Sequence, residues 1–264
     1  MTQANLFEAV LECFRECDPW RKSGAVKVLH ERWRQGQVAL GPPGGDPGPV
    51  PGRPERPLLV PPREVHFRSV ATREGRAALL HAIAHIEFNA INLALDAILR
   101  FPGQPEAFHA GWLQVAAEEA CHFEMVCGHM ETSCQCRYGD LPAHDGLWEM
   151  ALRTAHDPLV RMALVPRLFE ARGLDATPAI MRKFQGIGDR RAVDILKIIL
   201  AEEVGHVALG DLWFRRLCAE RGLEPEATFQ ALLRDYDAPR PRRPFNEEAR
   251  RAAGFSEAEL ARFD

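Results

Sequence analysis

The chain has 264 residues, 46% of them hydrophobic and 27% charged, with a net charge of −4. That balance suits one main globular domain with extensions. It offers no basic footprint for nucleic acid, and no run of about eighteen apolar residues long enough to span a bilayer. The N-terminal stretch MTQANLFEAVLECFRECDPW sets acids among its apolar residues and lacks the basic-then-apolar order of an export signal. A cytoplasmic location is therefore expected, with the seven cysteines as thiols.

Residues 4–35 carry amphipathic helical patterns broken at DPW, which gives a helical extension over residues 1–35. Residues 41–62, GPPGGDPGPVPGRPERPLLVPP, are too rich in Gly and Pro for a helix or a central strand. A linker or wrapping arm is expected over residues 36–70. No strand-like alternation of any length follows, so the fold class is all-α.

Four long helical patterns fill residues 71–222. The first runs near 73–100 and stops at RFPG, with a stripe through Leu80, Ala84, Glu87, Ile91 and Ala94. The second, near 105–130, carries Trp112, Val115, Glu119, His122 and Val126. The third starts at Asp157 and Pro158, as N-cap and first-turn residue, and is expected to end at Arg172–Gly173. Its stripe is Leu159, Ala163, Pro166 and Glu170, with a kink expected at Pro166. The fourth, near 189–221, carries Ala192, Leu196, Ile199, Glu203, His206, Gly210 and Trp213. Stripes stepping by four and three are those that bundle helices bury against one another. Residues 131–156 provide the long crossover of a four-helix bundle, and residues 223–264 a C-terminal extension packing on it.

Each stripe places an ionisable residue where burial should exclude it. An uncompensated buried carboxylate costs several kcal/mol, comparable with the stability of a whole domain. Four helices placing acids inward therefore need a common partner, and a metal supplies one. Residues three apart share a helix face, so Glu119 with His122 and Glu203 with His206 can each reach one metal. Glu87 and Glu170 come singly from the other two helices. The set is that of the ferritin-like dinuclear carboxylate sites. Four carboxylates balance two divalent ions and leave the histidines neutral as ligands. Mixed carboxylate and imidazole ligation suits iron, with manganese the alternative, better than zinc. Glu119 and Glu203 are the catalytic candidates. Glu118 and Glu202 precede the ligand glutamates and are candidates to receive the second N–H of His206 and His122 across the bundle, or else solvated flank residues.

Other residues carry weaker signals. His81 and His85 point away from the Glu87 face and are expected to meet the N-terminal arm. His129 shares the His122 stripe and reads as a core histidine. Cys121 reads as a small buried hydrophobe. Tyr138 and Tyr236 fall in the crossover and after the bundle, which disfavours a radical-generating subunit.

The words RSVATREGRAALLHAIAHIEFNAINLALDAILRF, AAEEACHFEMV, PRLFEARGLDATPAI, ILAEEVGHVALGDLWF and PFNEEARRAAGF resemble a bacterial ferritin-like family whose domain has no assigned function. The resemblance covers roughly residues 5–255. It implies the ferritin-like four-helix bundle and assigns Glu87, Glu119, His122, Glu170, Glu203 and His206 to metal ligation, but it supplies no reaction. The fold it implies is also similar to that of tRNA-hydroxylating di-iron enzymes.

A dinuclear iron site with open positions points to an O₂-dependent oxidase or hydroxylase acting on a small molecule of undefined identity. The chain has no glycine-rich nucleotide motif, so a hydroxylase would draw electrons from an external reductase. Ferroxidase or iron-handling activity, and a non-catalytic binding module stabilised by its metal, are the alternatives. A homodimer is compatible with the sequence, whereas membrane and nucleic-acid partners are disfavoured.

Overall fold

Polar residues ahead of apolar runs cap the helices in the computed structural model of this chain. Asp18 accepts from the Arg21 N–H, Thr72 from Gly75, Asp157 from Leu159 and Asp189 from Ala192. Residues 3–65 and 69–262 are described; they are mostly helical and fall into two units, Met1–Trp148 and Glu149–Asp264.

In the first unit, helices α1 (Leu6–Arg15) and α2 (Pro19–Arg34) precede the long pair α3 (Arg73–Arg100) and α4 (Glu106–Cys134). The break between α1 and α2 falls at Asp18–Pro19, as the sequence indicates. The short link 101–105 turns α3 and α4 into a helical hairpin packed along its length. α3 is long and apolar enough to cross a membrane, but 89% of its most apolar stretch is buried within the protein, as in a core helix. The strand content among the described residues is slight: β1 (Ala4–Asn5) pairs in parallel with β2 (Val38–Ala39), and Leu59 bridges Ala143. Helix α5 (Gly146–Arg153) lies in the expected crossover.

The Gly/Pro stretch is fastened to this unit. Lys22 is fully buried, and its Nζ donates to the carbonyls of Phe14 (3.1 Å) and Gly52 (2.8 Å) and to Asn92 Oδ1 on α3. Gly52 has to be glycine, because a Cβ there would collide with the Arg15 carbonyl oxygen. Arg100 donates to the Gly48 carbonyl and Trp148 Nε1 to that of Pro49. Replacing Lys22 with Met strands three buried acceptors, each costing about 1–3 kcal/mol unmatched. Lys22→Met is therefore expected to lower unfolding stability by about 3 kcal/mol or more in urea denaturation. A loss below about 1 kcal/mol would show that the arm is held elsewhere.

In the second unit, α6 (Pro158–Leu164) continues through a π-helical segment, Val165–Glu170, into α7 (Ala171–Gly186). Asp157 and Pro158 start the helix as expected. The expected stop at Arg172–Gly173 is wrong, since the helix runs on to Gly186. Ala171, Leu174 and Phe184 bury their side chains completely, and that burial outweighs the roughly 1 kcal/mol that a mid-helix glycine costs. The disturbance expected at Pro166 is present as the π segment, in which the missing N–H is absorbed by a widened turn. Helix α8 (Arg190–Glu220) packs on α6, the π segment and α7, and the shorter α9 (Pro225–Asp235), α10 (Glu247–Ala252) and α11 (Glu257–Ala261) complete the unit.

Candidate metal centre

The first unit supplies half of the proposed ligand set. Glu87 on α3 and Glu119 and His122 on α4 are 3%, 1% and 0% exposed. His122 Nδ1 lies 3.2 Å from Glu119 Oε2 and 3.4 Å from Glu87 Oε2. One ligand atom from each of the three lies within 4.8 Å of the others. Apart from the His122 approach, Glu87 Oε2 has no well-directed hydrogen bond among the described residues. Two buried carboxylates thus converge on one imidazole.

Electrostatics show what such a group demands. Burial, followed by the neighbouring Glu119 charge, pushes Glu87 well above the usual carboxylate range, while His122 pulls it back only in part. Burial alone would depress His122, but its hydrogen bonds to Glu119 and Glu87 and their charges outweigh that and hold it up to about 11. Without a metal, the group gathers protons around the place where its donors point. A divalent cation there would replace them with a larger charge. The donor set therefore fits a hard or borderline metal.

The second unit carries the remaining three residues of the expected set. Glu203 Oε2 and His206 Nδ1, one turn apart on α8, are 3.8 Å from each other, and the His206 ring is buried. Glu170, half-buried, ends the π segment that packs against α8. Glu203 with His206 repeats the i, i+3 geometry of Glu119 with His122.

The outer glutamates are both half-buried. Glu118 Oε1 accepts from Gln114 Nε2 at 2.8 Å, and the side chain lines a surface hollow with His30, Trp33 and Arg34 of α2.

His81 and His85 bond to the crossover: His81 Nε2 accepts from the Gly139 N–H at 3.0 Å, and His85 Nδ1 lies 2.9 Å from Tyr138 Oη. The chain can double back there because Gln135 and Gly139 adopt positive φ, 55° and 101°. Cys121 is exposed rather than buried, since it sits two residues from Glu119 and so on the opposite face of α4. Tyr138, although in the crossover, packs its ring against Phe88 and Phe123, the chain neighbours of Glu87 and His122. His129 is half-buried, less enclosed than a core histidine.

A family model described as protein of unknown function (DUF455) matches residues 15–261. An uncharacterised protein of Haemophilus influenzae is 52% identical over 214 residues, covering 78% of this chain and 74% of that protein. No solved structure matches.

Proposed function

The chain belongs to the DUF455 family, whose description carries no reaction, so we propose its function from its two Glu-x-x-His half-sites: a ferritin-like di-iron carboxylate protein that uses O₂ to oxidise or hydroxylate an organic substrate. The observation that carries this reading is the buried group of Glu87, Glu119 and His122, in which acids outnumber the base they surround. Each half offers two carboxylates and one imidazole, and sharing them between two divalent ions leaves the pooled set close to neutral. In this reading Glu87, Glu119 and His122 act with Glu170, Glu203 and His206 on two adjacent metals, within a four-helix bundle made of α3, α4, the α6–α7 helix and α8.

The protein's own contribution is charge, geometry and dryness. The carboxylates would balance the charge of the metals, and the buried histidines, neutral when ligated, would limit the charge they add. Ile91, Ala94, Ala116, Ala120 and Phe123, close to the group along α3 and α4, are buried and apolar and would keep it dry. When bound, the metals supply the electron transfer to O₂ that side chains lack. Glu118 and Glu202 take the part of orienting groups for the ligand histidines. Electrons for a hydroxylation come from a separate reductase.

The test is anaerobic loading with ferrous iron followed by an O₂ pulse. The proposal expects saturation at about two irons per chain, a transient visible absorption and consumption of O₂. Uptake of many more irons with mineral formation would instead establish iron handling. Tight zinc binding with no O₂ consumption would end both redox readings and leave a metal-stabilised binding module.

A further inference from the structure

Arg167 lies in the π segment, three residues before Glu170, and is completely buried. Its Nε donates to Asp211 Oδ1 of α8 at 2.6 Å, and its Nη2 donates to Glu259 Oε1 of α11. The guanidinium carbon sits 5.1, 4.3 and 4.8 Å from the ring centres of Phe214, Phe229 and Phe255, an aromatic cage around the cation. Arg215 closes the network, with its Nε on Asp211 Oδ2 at 2.7 Å and its Nη2 on Glu259 Oε2 at 2.9 Å. Glu259 is fixed in turn, because it forms the capping box of α11 with Ser256. One residue earlier, Pro166 packs on Gly210 of α8, where a Cβ would collide with the proline ring.

A network of a buried arginine, a half-buried one and two buried acids is a poor device for stability alone, since apolar residues of similar volume often serve as well. Its yield is a fixed geometry. A π segment inserts one extra residue per turn, so it rotates every later side chain by about 100° unless neighbours hold it. Here Pro166 against Gly210 and Arg167 against Asp211 and Glu259 pin that turn immediately ahead of Glu170. We infer that Arg167 is a positioning residue for Glu170, and that the C-terminal helix α11, through Glu259, helps to set the geometry of the metal centre. A segment remote in sequence from every ligand thereby belongs to the site. The inference rests on the dinuclear reading above.

Arg167→Lys keeps the charge but loses the fork, and Glu259→Gln removes a charge while retaining an acceptor for the Ser256 N–H. Both are to be titrated anaerobically with Fe²⁺ and with Co²⁺, whose visible spectrum reports coordination geometry, alongside amide exchange across residues 165–172. The expected result is near-normal helical content, an altered Co²⁺ spectrum, at least a tenfold weaker second metal, and faster exchange confined to the π segment. The double variant should be little worse than either single one, because both break one linkage. If the variants are merely less stable, and their folded fraction binds two metals with wild-type affinity and spectrum, Arg167 does not position the site. Should Arg167→Lys fail to fold, the milder Glu259→Gln decides on the same readouts. A wild-type chain that takes up no metal defeats the dinuclear reading itself, and that failure is visible before any variant is made.

Discussion

Glu119→Ala and Glu203→Ala are each expected to remove tight metal binding, lowering metal content from about two per chain to one or none. Each carboxylate sits in a Glu-x-x-His half-site, so its loss takes away a formal charge and a donor together. Loss of an outer-shell partner costs about 10–100-fold in metal affinity, and loss of a direct ligand should exceed that. Glu118→Gln is therefore the informative control, with an effect within that range or none. Cys121→Ser, on the opposite face of α4, should change nothing. Helical content by circular dichroism should survive in all four, because removing a buried acid that lacks its metal relieves a desolvation cost. The measurement is metal stoichiometry by elemental analysis after anaerobic loading and desalting. Two metals retained in Glu119→Ala would refute the ligand assignment.

What the sequence made legible was local or periodic. The limits of α3 and α8 follow from Pro and Gly stops and from caps within a few residues, and the structure places them within about a residue of expectation. Glu119 with His122 and Glu203 with His206 were legible because i, i+3 adjacency is a property of any helix. The errors sit where distant partners decide. The expected stop at Arg172–Gly173 weighed a local glycine signal and missed the packing of α7 on α8 and α10. Pro178 is a second breaker inside α7, and it leaves the Leu174 carbonyl without its usual helical donor. Asn246, more than seventy residues on, donates its side-chain N–H to that carbonyl at 3.2 Å. Nothing near Pro178 announces this. The same holds for Arg167, whose partners are 44 and 92 residues away in sequence, and for His85, which finds Tyr138 53 residues along the chain. Tyr138 matters to the site's surroundings only because the crossover folds back over α3, which no periodicity records.

Metal affinity should climb steeply with pH, because the metal-free site holds protons that the metal must displace. The Glu119 and Glu87 carboxylates hold the His122 proton up to about pH 11, and burial beside Glu119 pushes Glu87 well above the usual carboxylate range. Each proton released on binding contributes about a tenfold rise in affinity per pH unit while the free site remains protonated. Loss of the His122 proton alone predicts about tenfold per unit between pH 6 and 8, and any proton released from Glu87 steepens that further. Stability of the metal-free protein should move the other way. His122 has a folded value above its unfolded 6.5, so its contribution is complete below 6.5 and is lost as pH rises through about 11. Glu87 acts in the same direction from 4.5 upward, since the folded chain binds a proton that the unfolded chain has released. Metal-free protein should therefore melt at progressively lower temperature from pH 6 to 9, while the gap to the metal-loaded protein widens. Calorimetric titration with Mn²⁺ in two buffers of different ionisation enthalpy counts the protons directly. A count near zero at pH 7, with affinity flat in pH, would mean that the metal does not take its ligands from Glu87, Glu119 and His122.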